Sequence, residues 1–176
     1  MIDASNISIY FVSDGILVKV VGKGVVEYCR DLKEDLEKLI SEYTKLNLYF
    51  DLSEAVHLDS SFIGLVVMFD KKLSKSGKGE LYILNPSTKV LEILSSMDLT
   101  DVLKITNIDV HIIGKYKDVQ ANIQKDIVEL KLLIEAHSSL IQTGGRNKEL
   151  FASLERTLRE ELKKYESQQG SEGEES

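Results

Sequence analysis

Between residues 7 and 114 the apolar residues of this chain switch repeatedly between a period of two and a period near 3.6, and beyond residue 115 the period of two does not return. Alternation by two lines one face of a strand, and the longer period lines one face of a helix. A chain patterned this way is expected to build a sheet with helices packed on it, then a purely helical extension.

Residues 7–12 and 16–21 are β-rich and are separated by Ser13-Asp14-Gly15, a hairpin signal. Gly22-Lys23-Gly24 breaks the second run as a turn or bulge. Over 31–43, Leu32, Leu36, Leu39, Ile40 and Tyr43 share a helical face. Leu46, Leu48, Phe50 and Leu52 then alternate with polar residues as a strand, followed by an expected loop over 53–59 and a helix over 60–75 that stops at Gly77. Leu81-Tyr82-Ile83-Leu84 is a short apolar strand. Asn85-Pro86-Ser87 starts a third helix, capped by Ser87 or Asn85, and 108–113 is expected as the last strand. The order is ββαβαβαβ: an α/β fold with a mixed central sheet, over residues 1–116.

In the extension, Ile123, Ile127, Leu130, Ile134, His137 and Ile141 step by fours and threes as a heptad seam. After the turn Thr143-Gly144-Gly145, a second helix carries Phe151, Leu154, Leu158, Leu162 and Tyr165. Residues 117–166 are thus expected to form a helical hairpin, and the polar, acidic stretch 167–176 a disordered tail. Val128, Leu132, Leu133 and Leu140 lie outside the seam, beyond what one hairpin interface covers. Self-association as a homodimer through these helices is the corresponding expectation.

Composition narrows the function. The net charge is −7 with no basic block, which argues against nucleic acid as a partner. Cys29 is the only cysteine, so neither an internal disulfide nor a cysteine-based metal cluster is expected. The three histidines, His57, His111 and His137, fall in different elements, and no metal or cofactor site is expected. Residues 1–5 have no basic start or long apolar stretch, and the run 62–69 is too short to span a bilayer. The expectation is a cytoplasmic chain without membrane insertion. His57, Asp59 and Ser60 are residue types of a hydrolase triad but lie too close together for the usual relay, and no Gly-x-Ser-x-Gly elbow surrounds Ser60. The chain is not expected to be an enzyme.

The informative segment joins a buried strand, Leu48-Tyr49-Phe50-Asp51-Leu52, to Asp59-Ser60-Ser61-Phe62-Ile63-Gly64 at a helix start. With Gly22-Lys23-Gly24, Asn85-Pro86 and Met97-Asp98-Leu99, it resembles the STAS family, and within it the bacterial anti-sigma-factor antagonists, over about residues 5–114. Phe62 departs from the family's Asp-Ser-Ser/Thr-Gly-Leu-Gly hallmark, and Asp98 stands where a glycine is common. The resemblance implies that Ser60 is phosphorylated by a partner, an anti-sigma factor that is itself a serine kinase, and that a serine phosphatase resets it. The unphosphorylated chain would bind the kinase, and the phosphorylated one would release it. An alternative within the family is a scaffold or subunit of a stress-signalling assembly or of a membrane transporter.

The residues alone support a switch at this place. At 100° per residue, Phe62, Val66, Phe69 and Leu73 form a sheet-facing stripe, while Ser60, Gly64, Val67 and Lys71 lie opposite. Ile63, Val67 and Met68 are therefore expected to be exposed beside Ser60 as a docking surface, with Asp59, Ser61, Gly64 and Lys71 completing it. Gly64 would let another backbone approach closely. The plainer alternative is that Asp59 and Ser60 only cap the helix.

Overall fold

The computed structural model describes residues 4–172. A hairpin of β1 (Asn6–Val12) and β2 (Gly15–Gly24) pairs Ile7 with Val20 and Ile9 with Val18. Next come α1 (Val26–Ser41), β3 (Asn47–Leu58), α2 (Ser60–Ser76), β4 (Leu81–Leu84) and α3 (Thr88–Ser96). The short β5 (Lys104–Thr106), β6 (Ile112–Asp118), α4 (Ile127–Ile141) and α5 (Gly145–Glu172) complete the chain. The sheet has six strands in the order β5-β4-β3-β2-β1-β6. The pairs β2–β3, β3–β4 and β4–β5 are parallel, and β1 is antiparallel to both its neighbours.

Strand alternation divides the apolar residues between two faces. Ile9, Val18, Phe50 and Ile83 point to the helical side and share one core with Leu32 and Leu36 of α1 and Phe62 and Phe69 of α2. Val12, Leu17, Tyr49 and Leu84 form a small cluster on the other face, where Tyr49 and Tyr82 stack with centroids 5.6 Å apart. Gly22, at φ +80°, and the register shift at Gly22/Lys23 are the expected bulge in β2. Ser87 caps α3 through Val90 N, whereas Asn85 donates to the Ile108 carbonyl. Asp98 adopts φ +53°, which accounts for the preference for glycine at that position.

Several expected boundaries are corrected. α1 begins at Val26 rather than 31, and Val25, its N-cap residue, makes no side-chain cap. The segment 53–58 is strand, not loop: β2 continues alongside it, and Ala55 and Leu58 turn inward at 2% and 3% exposure despite the polar residues around them. The strand expected over 108–113 is displaced. Residues 104–106 form one sheet edge, and Ile112–Asp118 forms the opposite edge against β1. β6 thus runs two residues past position 116. In the extension the helix starts at Ile127, leaving Ile123 outside and exposed, because Asp126 supplies the cap by accepting from Glu129 N. Residues 167–172 continue α5 as helix instead of forming a disordered tail. The rest of that tail, 173–176, lies outside the described residues.

Phe69 is 1% exposed inside the helix–sheet core. Phe69→Ala should cost about 3–5 kcal/mol of unfolding free energy, measured by urea denaturation, because neighbouring strands cannot close the void.

Candidate functional site

The site begins with one carboxylate. Asp59 takes an extended backbone conformation as the N-cap of α2, and its Oδ1 accepts from Phe62 N at 2.9 Å. Its Oδ2 accepts from Val26 N at 2.8 Å and so caps α1 as well. Its own N–H donates to the Gly24 carbonyl. Held on three sides, Asp59 delivers Ser60 as the first residue of α2, half-buried. Phe62, in place of the hallmark glycine, is fully buried and meets Phe50 edge-on at 6.3 Å. Its ring lies in space left by Gly24, where a Cβ would fall 3.0 Å from Phe62 Cδ1.

The outer face of α2 is not exposed. Ile63, Val67 and Met68 are buried at 2% exposure or less, and Ser61 and Gly64 are buried too. α4 packs along this face, touching it at Ser60, Gly64 and Lys71, and the expectation of an open docking surface is corrected on this point. A Cβ at Gly64 would lie 2.5 Å from the Ala136 carbonyl oxygen, so the two helices cross there at backbone contact. Leu132 and Leu140 of α4 join the main core at 4% and 0% exposure. Lys71 donates to the Ser139 carbonyl and to Gln142 Oε1, at 2.9 and 3.0 Å, and desolvation lowers its pKa. Lys72 bridges Glu135 of α4 and Glu37 of α1.

His137 was not placed at this site by sequence. Its Nε2 lies 3.2 Å from Ser60 Oγ, and its Nδ1 lies 2.7 Å from the Leu133 carbonyl. The carbonyl can only accept, so Nδ1 carries the proton and the Ser60 hydroxyl donates to Nε2. Phe151 of α5 packs over the imidazole at 5.7 Å, and His137 is 3% exposed. Part of the heptad seam faces α5: besides His137, Leu130 and Ile134 meet Leu158, Leu162 and Tyr165. Because α2 takes Leu132 and Leu140, the surplus apolar surface of α4 is reduced chiefly to Val128, 51% exposed, while Leu150 and Leu154 of α5 stay uncovered.

The segment 119–126 is fastened along α1. Gln120 N donates to Asp31, Asn122 N to the Glu27 carbonyl, and Arg30 pairs with Asp126 at 2.9 Å. His57 and His111 are exposed and far from this arrangement in role: neither enters a hydrogen bond with Ser60. Cys29 is buried, and desolvation raises its thiol pKa well above the usual value, which makes it unreactive. Among the described residues there is no group of three or more His, Cys, Asp or Glu that could hold a metal ion, and no helix is long and apolar enough to cross a membrane.

The family model for the STAS domain matches residues 8–111. The chain belongs to the STAS domain family. Two solved structures are similar to it. One is the anti-sigma factor antagonist SpoIIAA in its unphosphorylated form, 16% identical, covering 57% of this chain and 88% of its own, with a TM-score of 0.47. The other is a provisionally named anti-sigma factor antagonist from Thermotoga maritima, 24% identical, covering 58% and 86%, with a TM-score of 0.51. The second shares the fold with this chain. The STAS match ends before β6, so α4 and α5 lie beyond the matched residues.

Two outcomes follow from the caps and the imidazole. Asp59→Ala removes a cap from each of two helices and should cost about 2 kcal/mol in urea denaturation, near 1 kcal/mol per cap. Burial lowers the His137 pKa, against the pull of Asp59 and Glu155. The unfolded chain therefore takes up the proton first, and stability should fall as pH drops below about 6.5. Buried Glu129, its pKa raised by desolvation, acts in the opposite direction at lower pH. Unfolding titrations of wild type and His137→Gln isolate the imidazole: the pH slope near 6 should flatten in the variant.

Proposed function

We propose that this STAS protein is an anti-sigma-factor antagonist whose binding is switched by phosphorylation of Ser60. The observation that carries this reading is Ser60 at the first position of α2, its backbone fixed by the doubly capping Asp59. A helix N-terminus tolerates a phosphate, because its free N–H groups and dipole favour negative charge. The Ser60 oxygen would attack the γ-phosphorus of ATP on the partner kinase, the bond to the β-bridging oxygen would break to release ADP, and the hydroxyl proton would pass to a base on the kinase. The chain supplies the acceptor and the docking face, and the kinase supplies the catalysis. Asp59, Ser61, Ile63, Gly64, Val67, Met68 and Lys71 are the residues proposed to meet the partner. A metal-dependent serine phosphatase would hydrolyse the ester.

The Ser60–His137 pair has the elements of a nucleophilic dyad, yet its setting favours an acceptor over an enzyme. The imidazole is backed by a main-chain carbonyl instead of a carboxylate, and Phe151 packs against it.

A scaffold role is the second reading, favoured by α5. Its 28 residues outrun α4, and Leu150 and Leu154 on it are 55% and 41% exposed. Affinity capture of native partners separates the two: a kinase-like anti-sigma factor supports the switch, and a large assembly of STAS subunits supports the scaffold.

Incubation with the captured kinase and ATP, followed by mass spectrometry, should find phosphate on Ser60 and none on Ser61. Ser60→Ala should retain kinase binding, and Ser60→Asp should weaken it roughly tenfold or more through added charge at the face. Equal binding by both variants would rule out the switch.

A further inference from the structure

The hydroxyl that the proposed function makes a phosphoacceptor is engaged inside the protein. Ser60 donates to His137, and the face around it is taken by α4. A phosphoryl group on Oγ adds a phosphorus and three oxygens where a 3.2 Å hydrogen bond now stands. It also removes the donor: a phosphate dianion only accepts, and with Nδ1–H committed to the Leu133 carbonyl the neutral imidazole offers it the Nε2 lone pair, while burial opposes the protonation that would make Nε2 a donor. Asp59 stands beside it, and Glu155, hydrogen-bonded to Ser138, contributes a further negative charge near His137. At Gly64, one turn along α2, α4 already lies at backbone contact through Ala136 and cannot shift inward to make room.

We propose that the α4–α5 hairpin is an intramolecular gate on Ser60: it is seated on the outer face of α2 in the unmodified protein and is expelled by a phosphoryl group on Ser60. This rests on Ser60 being the phosphoacceptor. Its consequence is that a partner that binds the unmodified protein must displace the hairpin to reach these residues, whereas phosphate both frees the face and charges it. The hairpin is fastened at two places, and expulsion must break the weaker one: at its tip buried Asn147 donates to the Met97 carbonyl at 2.7 Å and Arg146 to the Ser96 carbonyl at 3.1 Å. The segment 119–126 stays fastened to α1 through Asp31, Glu27 and Arg30. The α2–α4 contact itself is apolar packing bordered by Lys71 and the half-exposed Lys72–Glu135 pair.

Amide hydrogen exchange on the full chain tests the gate. The phosphate is installed as phosphoserine at position 60 during translation, so no kinase is needed. Peptides covering 127–141 should exchange about tenfold faster or more in the phosphoserine protein than in the unmodified one, while β1–β3 peptides stay protected. Ala136→Glu, which places a charge at the helix crossing without touching Ser60, should give the same pattern. Unchanged or slower exchange in α4 of the phosphoserine protein would overturn the gate, because the phosphate would then be accommodated in the closed form. Accelerated exchange throughout the sheet would overturn it too, as general unfolding. A captured kinase that leaves Ser60 unmodified would count against the proposed function, a result separate from the exchange pattern.

Discussion

The geometry of the whole site depends on the Asp59 carboxylate serving two helices at once. Each oxygen satisfies a main-chain N–H that a helix start leaves without a partner: Phe62 N for α2 and Val26 N for α1. Such bonds to a charged acceptor are stronger than neutral ones, and here a single side chain fixes where two helices begin relative to each other. β2 and β3 run side by side up to Gly24 and Leu58, so both helices leave the sheet at the same end, within reach of one residue. Ser60 inherits its position from this junction. Asp59 thus has a structural role whether or not Ser60 is modified.

Apolar burial holds the hairpin down, and the charges around it set its register. Covering Ile63, Val67 and Met68 stabilises the closed form by about 1.5–3 kcal/mol per side chain as an upper figure. The Lys72–Glu135 pair, with both side chains more than 40% exposed, contributes at most about 1 kcal/mol. A net closure of several kcal/mol is strong enough to keep the face covered. It is also small enough for the burial offered by a protein interface of ordinary size to offset it. The position of Gly64 belongs to the same balance: a larger residue would weaken the crossing with α4 as surely as it would obstruct any other helix.

Much of the sheet was legible because its strands obey alternation, and α2 and β4 because glycines and caps stand at their ends. The misplaced boundaries share a cause, which is that the deciding partner is distant in sequence. α1 has no capping side chain of its own, since its cap comes from Asp59, 33 residues later. The strand character of 53–58 depends on β2 continuing beside it. The placement of Ser60 at a helix start is legible because its motif is local, whereas the contact of His137 with it spans 77 positions and leaves no local signal. One signal of the covered face was nonetheless present. Residues 62–69 are apolar on every side of the helix, and such a helix is buried all round. A stripe of Phe62, Val66, Phe69 and Leu73 marks only its sheet-facing side.

A gate of this kind couples modification and binding through one element, and the coupling is reciprocal. If phosphate at Ser60 favours the open hairpin by some factor, closure disfavours the phosphorylated state by the same factor. A partner that takes the α2 face pays the closing free energy, so its apparent affinity is its intrinsic affinity scaled by the open fraction. Phosphorylation then acts on two quantities of opposite sign. It raises the open fraction, and it places roughly two negative charges on the face that opening exposes. A binder fitted to the neutral hydroxyl loses by the second more than it gains by the first, whereas one with a basic patch gains by both. The hairpin therefore makes the sign of the response a property of the partner's charge, which a STAS domain without a covering helix would not do as sharply, since its face is open in either state.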